Sequence, residues 1–202
     1  MPVLDKPARP KRHPHPELIY EQWGGRTYYR KGYGDVLKKK KKPTEIMGSS
    51  GLQAFIVSYI TGFLFSHIDR KQYRILTSEP GLHIGRSENL ACDVMVYDKA
   101  VLTNDRINVR YVDVPPQVVI EVDVKVELKT DGEITYVFSK TKQLFDFGVQ
   151  RVIWVVSDLK QVLVFNNGID SVTYRDWQQP IEVIPNVWIN IGEYLTEEGI
   201  TL

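Results

Sequence analysis

The chain carries one cysteine, Cys92, so no disulfide can form within it, and a lone thiol fits a reducing compartment. Histidine is also sparse. Its four copies, two of them (His13 and His15) in a proline-rich stretch, give no zinc-ligand spacing. There is no phosphate-binding loop ending in Gly-Lys-Ser/Thr, and fragments such as Gly32-Tyr33-Gly34 lack the strand-to-helix setting of a dinucleotide site. The most apolar run, Leu52 to Phe65, is too short to span a bilayer and is interrupted by Gln53, Ser58, Thr61 and Gly62. The opening MPVLDKPARPKRHPHP has no apolar core of the kind an export signal needs. These absences exclude a disulfide-stapled domain, a zinc finger and a P-loop enzyme, and they lead us to expect a soluble, cytoplasmic protein with no membrane partner. Net charge is nearly absent too. The 26 Lys and Arg exceed the 25 Asp and Glu by one, which taken alone argues against a nucleic-acid partner.

The chain is nevertheless long enough for a real core, with 202 residues, 43% hydrophobic and 25% charged. Its charge is segregated. Residues 1–43 hold twelve Lys and Arg against four Asp and Glu, whereas residues 44–202 hold fourteen against twenty-one. We therefore expect a basic, proline-rich, flexible arm over 1–16 and a single domain over 17–202. The run Lys38 to Lys42 reads either as a solvated, flexible loop or as a loop that contacts phosphates.

Ser50-x-x-Gln53 reads as a capping box opening a helix, on which Leu52, Phe55, Ile56, Tyr59, Ile60, Phe63 and Leu64 form one stripe. Val57 and Phe65 extend the apolar surface, so helix 52–66 is expected to be buried on more than one side or to join a homodimer. A second helix is expected from about Thr135 or Tyr136 to Phe147, stopped by Gly148. Short β-branched or aromatic runs at 73–76, 82–85, 93–97, 117–124, 149–156, 161–165 and 172–177 read as strands, with Asn167-Gly168 a hairpin turn. The segment Trp188 to Leu195 closes the chain. This order predicts an α/β (α+β) fold with one mixed central β-sheet flanked by helices.

Three places set charge into this apolar pattern. Asp93 opens the run Asp93-Val-Met-Val-Tyr97, where a carboxylate is ordinarily a solvated strand end. In Gln117-Val-Val-Ile-Glu-Val-Asp-Val124, alternation puts Val118, Ile120, Val122 and Val124 on one face, and Val119, Glu121, Asp123 and Lys125 on the other. Carboxylates side by side on a covered strand repel unless a cation or proton joins them, whereas an edge strand with a wet face needs no such partner. Lys140 shares a helical face with Tyr136, Val137, Leu144 and Phe147, and either snorkels to the rim or reaches into a cleft. Taken together, strand carboxylates suit a hard divalent ion such as Mg2+ or Mn2+, and a nearby ammonium suits a charged phosphate. That is a minimal set for phosphodiester hydrolysis.

The segments CDVMVYDKAVL, PPQVVIEVDVK and KTKQLFDFGVQRVIWVVSD, with ELIYEQWGG and MGSSGLQ before them, resemble the Uma-type restriction endonuclease family, a branch of the PD-(D/E)XK nuclease superfamily. The resemblance covers about residues 17–190 and implies a restriction-endonuclease-like core that cuts DNA. It implies metal ligands at Asp93 and Glu121 and a catalytic lysine at Lys140 supplied from a helix; our own reading of the strand carboxylates adds Asp123 as a third metal ligand. Glu21 matches the acidic residue of the family's N-terminal segment. The chain departs from the pattern in three ways. Cys92 replaces the usual proline, Asp123 stands where the superfamily has lysine, and Val124-Lys125-Val126 replaces a Ser-Pro turn, which makes Lys125 a second candidate for the lysine role. An alternative is a catalytically inactive nuclease fold that binds nucleic acid, with Lys38, Lys39, Lys40, Lys41 and Lys42 on phosphates, or that serves as an oligomeric regulatory protein.

Overall fold

A computed structural model describes residues 15–125 and 132–202. The expected arm, but for its last two positions, lies outside the described residues. Two strands, β1 (Ile19–Trp23) and β2 (Arg26–Tyr29), form a hairpin at Gly24-Gly25, both with positive φ, as a tight turn requires. A short helix α1 (Tyr33–Leu37) precedes the long α2 (Gly51–His67). Then come β3 (Tyr73–Thr77), β4 (Gly81–Gly85), β5 (Glu88–Ala91), β6 (Val94–Asp98) and β7 (Val118–Val122). Helix α3 (Glu133–Phe147) leads to β8 (Arg151–Val156), β9 (Gln161–Asn166), β10 (Thr173–Asp176), β11 (Ile181–Ile184), β12 (Val187–Ile189) and α4 (Ile191–Glu197).

The main sheet has the order β10-β9-β8-β7-β6-β3. Its β7–β8 pair is parallel and the others are antiparallel, because α3 lies between β7 and β8 and supplies the crossover that a parallel pair needs. All five residues of β7 are buried, as expected for a central strand covered on both faces. One face carries Val94, Val96, Val118, Ile120 and Val122 against Ile56, Ile60 and Leu64 of α2. The other carries Met95, Val119 and Trp154 against Tyr136, Val137 and Leu144 of α3, and it also meets Trp23, Leu82 and Leu90. Those last three belong to a second antiparallel sheet, β2-β1-β5-β4. The expectation of one sheet is thus corrected to a six-stranded mixed sheet, this four-stranded one and the hairpin β11–β12, since short strands joined by tight turns pair with their neighbours rather than extending the main sheet.

Ser50 caps α2 as the sequence predicts, its hydroxyl accepting the Gln53 N–H at 3.1 Å. Part of the apolar surface of α2 is covered by the chain's own C-terminal helix, the Tyr59 ring stacking on Tyr194 of α4 at 3.9 Å and Phe55 on Tyr194 at 5.4 Å, while Phe65 is left exposed. The expected closing segment Trp188 to Leu195 divides into β12 and α4, because Asn190 accepts the Glu193 N–H and caps a new helix. Lys38 to Lys42 leave α1 in ordered turns, with the Lys40 and Lys41 N–H groups both donating to the Asp35 carbonyl at 2.8 and 3.4 Å. Among the described residues no helix is long and apolar enough to cross a membrane.

Candidate functional site

The register of β6 on β7 pairs Val94 with Ile120 and Met95 with Val119, so one step further sets Asp93 across from Glu121. Val94 and Ile120 face α2, so alternation turns Glu121 toward α3, into the same apolar layer as Met95 and Val119, while Asp93 sits at the bend just before β6 and borders the cleft along α2. Asp93 and Glu121 are 4% and 2% exposed. From α3 comes Lys140, only 1% exposed. Its Nζ donates to Glu21 Oε1 at 2.6 Å and to the Ala91 carbonyl at 2.7 Å, and it lies 2.9 Å from Glu121 Oε1. Snorkelling is therefore excluded: three oxygens inside the fold hold the ammonium there. The contact with Glu121 is not aligned as a hydrogen bond, and Glu121 Oε1 is left without a donor.

Glu21, on β1, is fully engaged. It accepts the Trp23 indole N–H at 3.0 Å, the Tyr136 hydroxyl at 2.6 Å and the Ala91 N–H at 3.2 Å, besides Lys140. Trp23 and Tyr28 stack at 4.4 Å, Tyr136 meets Tyr28 and Trp154 edge-on, and Lys140 lies 5.8 Å from the centre of the Trp154 ring. This box of rings excludes water and strengthens every charge interaction inside it. Alternation carried part of the signal for its members, because Trp23 is two residues from Glu21 on one strand face and Tyr136 is one helical turn before Lys140.

The reading of 117–125 needs a correction. β7 ends at Val122, and Asp123 takes a left-handed conformation (φ 60°) that reverses the alternation. Val124 consequently turns to the face of Val119 rather than that of Val118. Asp123 does not join Asp93 and Glu121. Its two oxygens accept the Ser157 N–H and hydroxyl, both at 2.8 Å. Lys125 donates instead to Asp93 Oδ1 and, at 3.1 Å, to Glu79 Oε1, while Asp93 Oδ2 accepts the Val122 N–H at 2.8 Å. Gln53, the third residue of α2, donates to the Val122 carbonyl at 2.8 Å and so ties that helix to the end of β7.

Three buried carboxylates, Glu21, Asp93 and Glu121, thus face two ammoniums, Lys140 and Lys125. The surplus negative charge falls on Glu121. Burial pushes its carboxyl up to about 7; Lys140 opposes that rise, and the Asp93 charge adds to it. Burial disfavours the Lys140 charge, but Glu121 and Glu21 outweigh burial and hold it protonated well above the usual lysine range. Burial likewise pushes the Cys92 thiol up, leaving it a small apolar side chain.

Among the described residues no group of three or more His, Cys, Asp or Glu side chains forms a ready-made metal cage. A magnesium ion, however, is commonly held by one or two carboxylates and several waters. Adjacent hard-oxygen donors with one excess negative charge and one orphaned lone pair fit that demand. Asp93 and Glu121 are the residues that would hold it, with Lys125 leaving Asp93. Two open clefts of about 430 and 720 Å³ meet at Gln53, Glu79 and Lys125, and Asp93 lines the larger. Of the five-lysine run, Lys41 alone lines either cleft, and it lies 3.9 Å from Asp35.

No protein-family model matches the sequence, and no curated protein matches it either. Among solved structures the fold is similar to that of a protein from Anabaena variabilis described as "a putative nuclease belonging to DUF820". The likeness has a TM-score of 0.62 at 14% identity, and covers 87% of this chain and 89% of that one. The mixed α+β architecture is thus one that this chain shares with that protein.

Proposed function

We propose that this protein is a metal-dependent endonuclease that hydrolyses phosphodiester bonds in DNA. The observation that carries the reading is the placement of Asp93, at the entry to β6, beside Glu121 on the central strand β7, with the Lys140 ammonium 2.9 Å from Glu121. A divalent ion held by the two carboxylates, Mg2+ or Mn2+, would polarise a phosphoryl oxygen and lower the pKa of a bound water. Lys140 makes two hydrogen bonds among the described residues, and its third N–H, 2.9 Å from Glu121 Oε1 but not aligned on it, would turn to the attacking water or a phosphoryl oxygen once an ion draws that carboxylate away. Glu21 is a positioning residue that fixes Lys140. The ring box around them keeps bulk water out.

A second reading, a nuclease fold that binds DNA without cutting it, is favoured by one observation: Lys125 already occupies a cation position on Asp93. Plasmid nicking separates the two. The wild type is expected to nick with magnesium and not with EDTA, and Glu121→Ala and Lys140→Ala are expected to lose nicking. Equal cutting by all three proteins identifies a contaminant and removes the site. DNA binding without nicking leaves the second reading.

A further inference from the structure

Most charged groups around the smaller cleft already have partners. Lys31 lies 3.5 Å from Glu133, Lys41 lies 3.9 Å from Asp35, and Lys125 holds Asp93 and Glu79. Of the acids there, Asp123 is bonded to Ser157 and Glu45 to the Lys42 N–H. Arg30 differs. It lines the cleft, yet no carboxylate among the described residues lies within ion-pair reach of it, and its buried Nε–H has no acceptor. Buried donors are rarely left orphaned, so the Nε–H marks an unsatisfied guanidinium, whose outer Nη–H groups form a pair matched to two oxygens of one phosphate.

The guanidinium is also pre-positioned. Its carbon lies 5.1 Å from the centre of the Tyr20 ring, and Lys125 Nζ lies 5.9 Å from the centre of the same ring. Tyr20 directly precedes Glu21, and Lys125 reaches Asp93, so one aromatic ring links the unpartnered cation to the carboxylate pair. The Tyr20 hydroxyl is a second buried polar atom without a partner.

We propose that Arg30, held by Tyr20, anchors a phosphate-binding subsite for DNA, gripping a backbone phosphodiester beside the one that reaches Asp93 and Glu121. This rests on the nuclease reading above for the identity of the polymer, and it adds a residue to which neither the sequence nor the fold likeness assigns a role. Arg30 sets where the strand lies; it does not touch the reacting atoms.

Fluorescence anisotropy of a labelled DNA duplex in EDTA, across a salt series, tests the subsite with wild type, Arg30→Met and Arg30→Lys. Methionine keeps hydrocarbon over the Tyr20 ring and removes the charge. It is expected to weaken binding about tenfold or more and to flatten the slope of log affinity against log salt by about one. Lysine keeps the charge, and so the slope, while losing the two-pronged contact and part of the affinity. Should Arg30→Met fail to fold, Arg30→Gln takes its place. An unchanged slope and affinity in the neutral variant overturns the subsite. Nicking by the wild type, read in parallel, separates the two claims. Nicking with an unchanged slope removes the subsite alone, and neither nicking nor binding in the wild type removes both. A flattened slope without nicking keeps the subsite on a DNA-binding module.

Discussion

Glu121 is the residue at which the local physics is most exposed. Its carboxyl is pushed up to about 7 in the folded chain, against an ordinary value of 4.5. A raised carboxyl favours the folded state while it stays protonated. Its contribution is therefore present below about pH 4.5 and is lost as pH rises through about 7. In EDTA, unfolding by urea should show stability falling over that window by a few kcal/mol, on the order of 1.4 per pKa unit. Glu121→Gln should remove that part of the slope. Lys125 makes the complementary case. Its ammonium bridges Asp93 and Glu79 where a metal would bind, so Lys125→Met should leave Asp93 with no competing cation. Thermal-shift titration with Mn2+ should show the variant stabilised at lower metal concentration than the wild type. Equal midpoints would mean that Lys125 and the ion do not compete.

At the scale of elements, glycine and capping positions govern where helices stop and start. Gly148 ends α3 at φ 115°, and a β-carbon there would lie 3.1 Å from Pro115. Gly148→Ala should therefore cost more than about 1 kcal/mol, read as a lower urea midpoint at unchanged slope. That stop was legible in the sequence, as were the Ser50 cap, the apolar stripe of α2 and the core strand at 118–122, because each is a local pattern with a local cause. Lys140 was legible as an anomaly, a cation on an apolar stripe. What could not be read is nonlocal. Glu21 and Lys140 are 119 positions apart, and only the pairing of β1 with β5 brings them together. The Asp123 reversal escaped for another reason: alternation assumes extended backbone, and a single left-handed residue inverts every face after it. Arg30 escaped because an ordinary surface arginine carries no pattern, and its lack of a partner is visible only in three dimensions.

For the whole molecule, charge distribution matters more than charge sum. Residues 1–14 carry Lys6, Arg9, Lys11 and Arg12 against Asp5. If DNA is the partner, deleting this segment should lower affinity uniformly across sequences and flatten the salt dependence by up to about four phosphate contacts. The acidic remainder should still carry any metal-dependent nicking. Affinity and salt slope unchanged by the deletion would show that the arm makes no phosphate contacts.

The bond from Lys140 to Glu21 has a mechanical meaning as well. The β1–β2 hairpin forms one half of the smaller four-stranded sheet, and isolated hairpins are marginal in water. Detaching it would strand the Lys140 and Glu21 charges, with the Tyr136 hydroxyl and the Trp23 indole, in an apolar interior. The hairpin and the central sheet should therefore open as one cooperative unit. Amide hydrogens of Glu21 to Trp23 should exchange with solvent nearly as slowly as those of Val118 to Val122, so that disruption of the Lys140–Glu21–Glu121 cluster and unfolding of the N-terminal sheet become a single event.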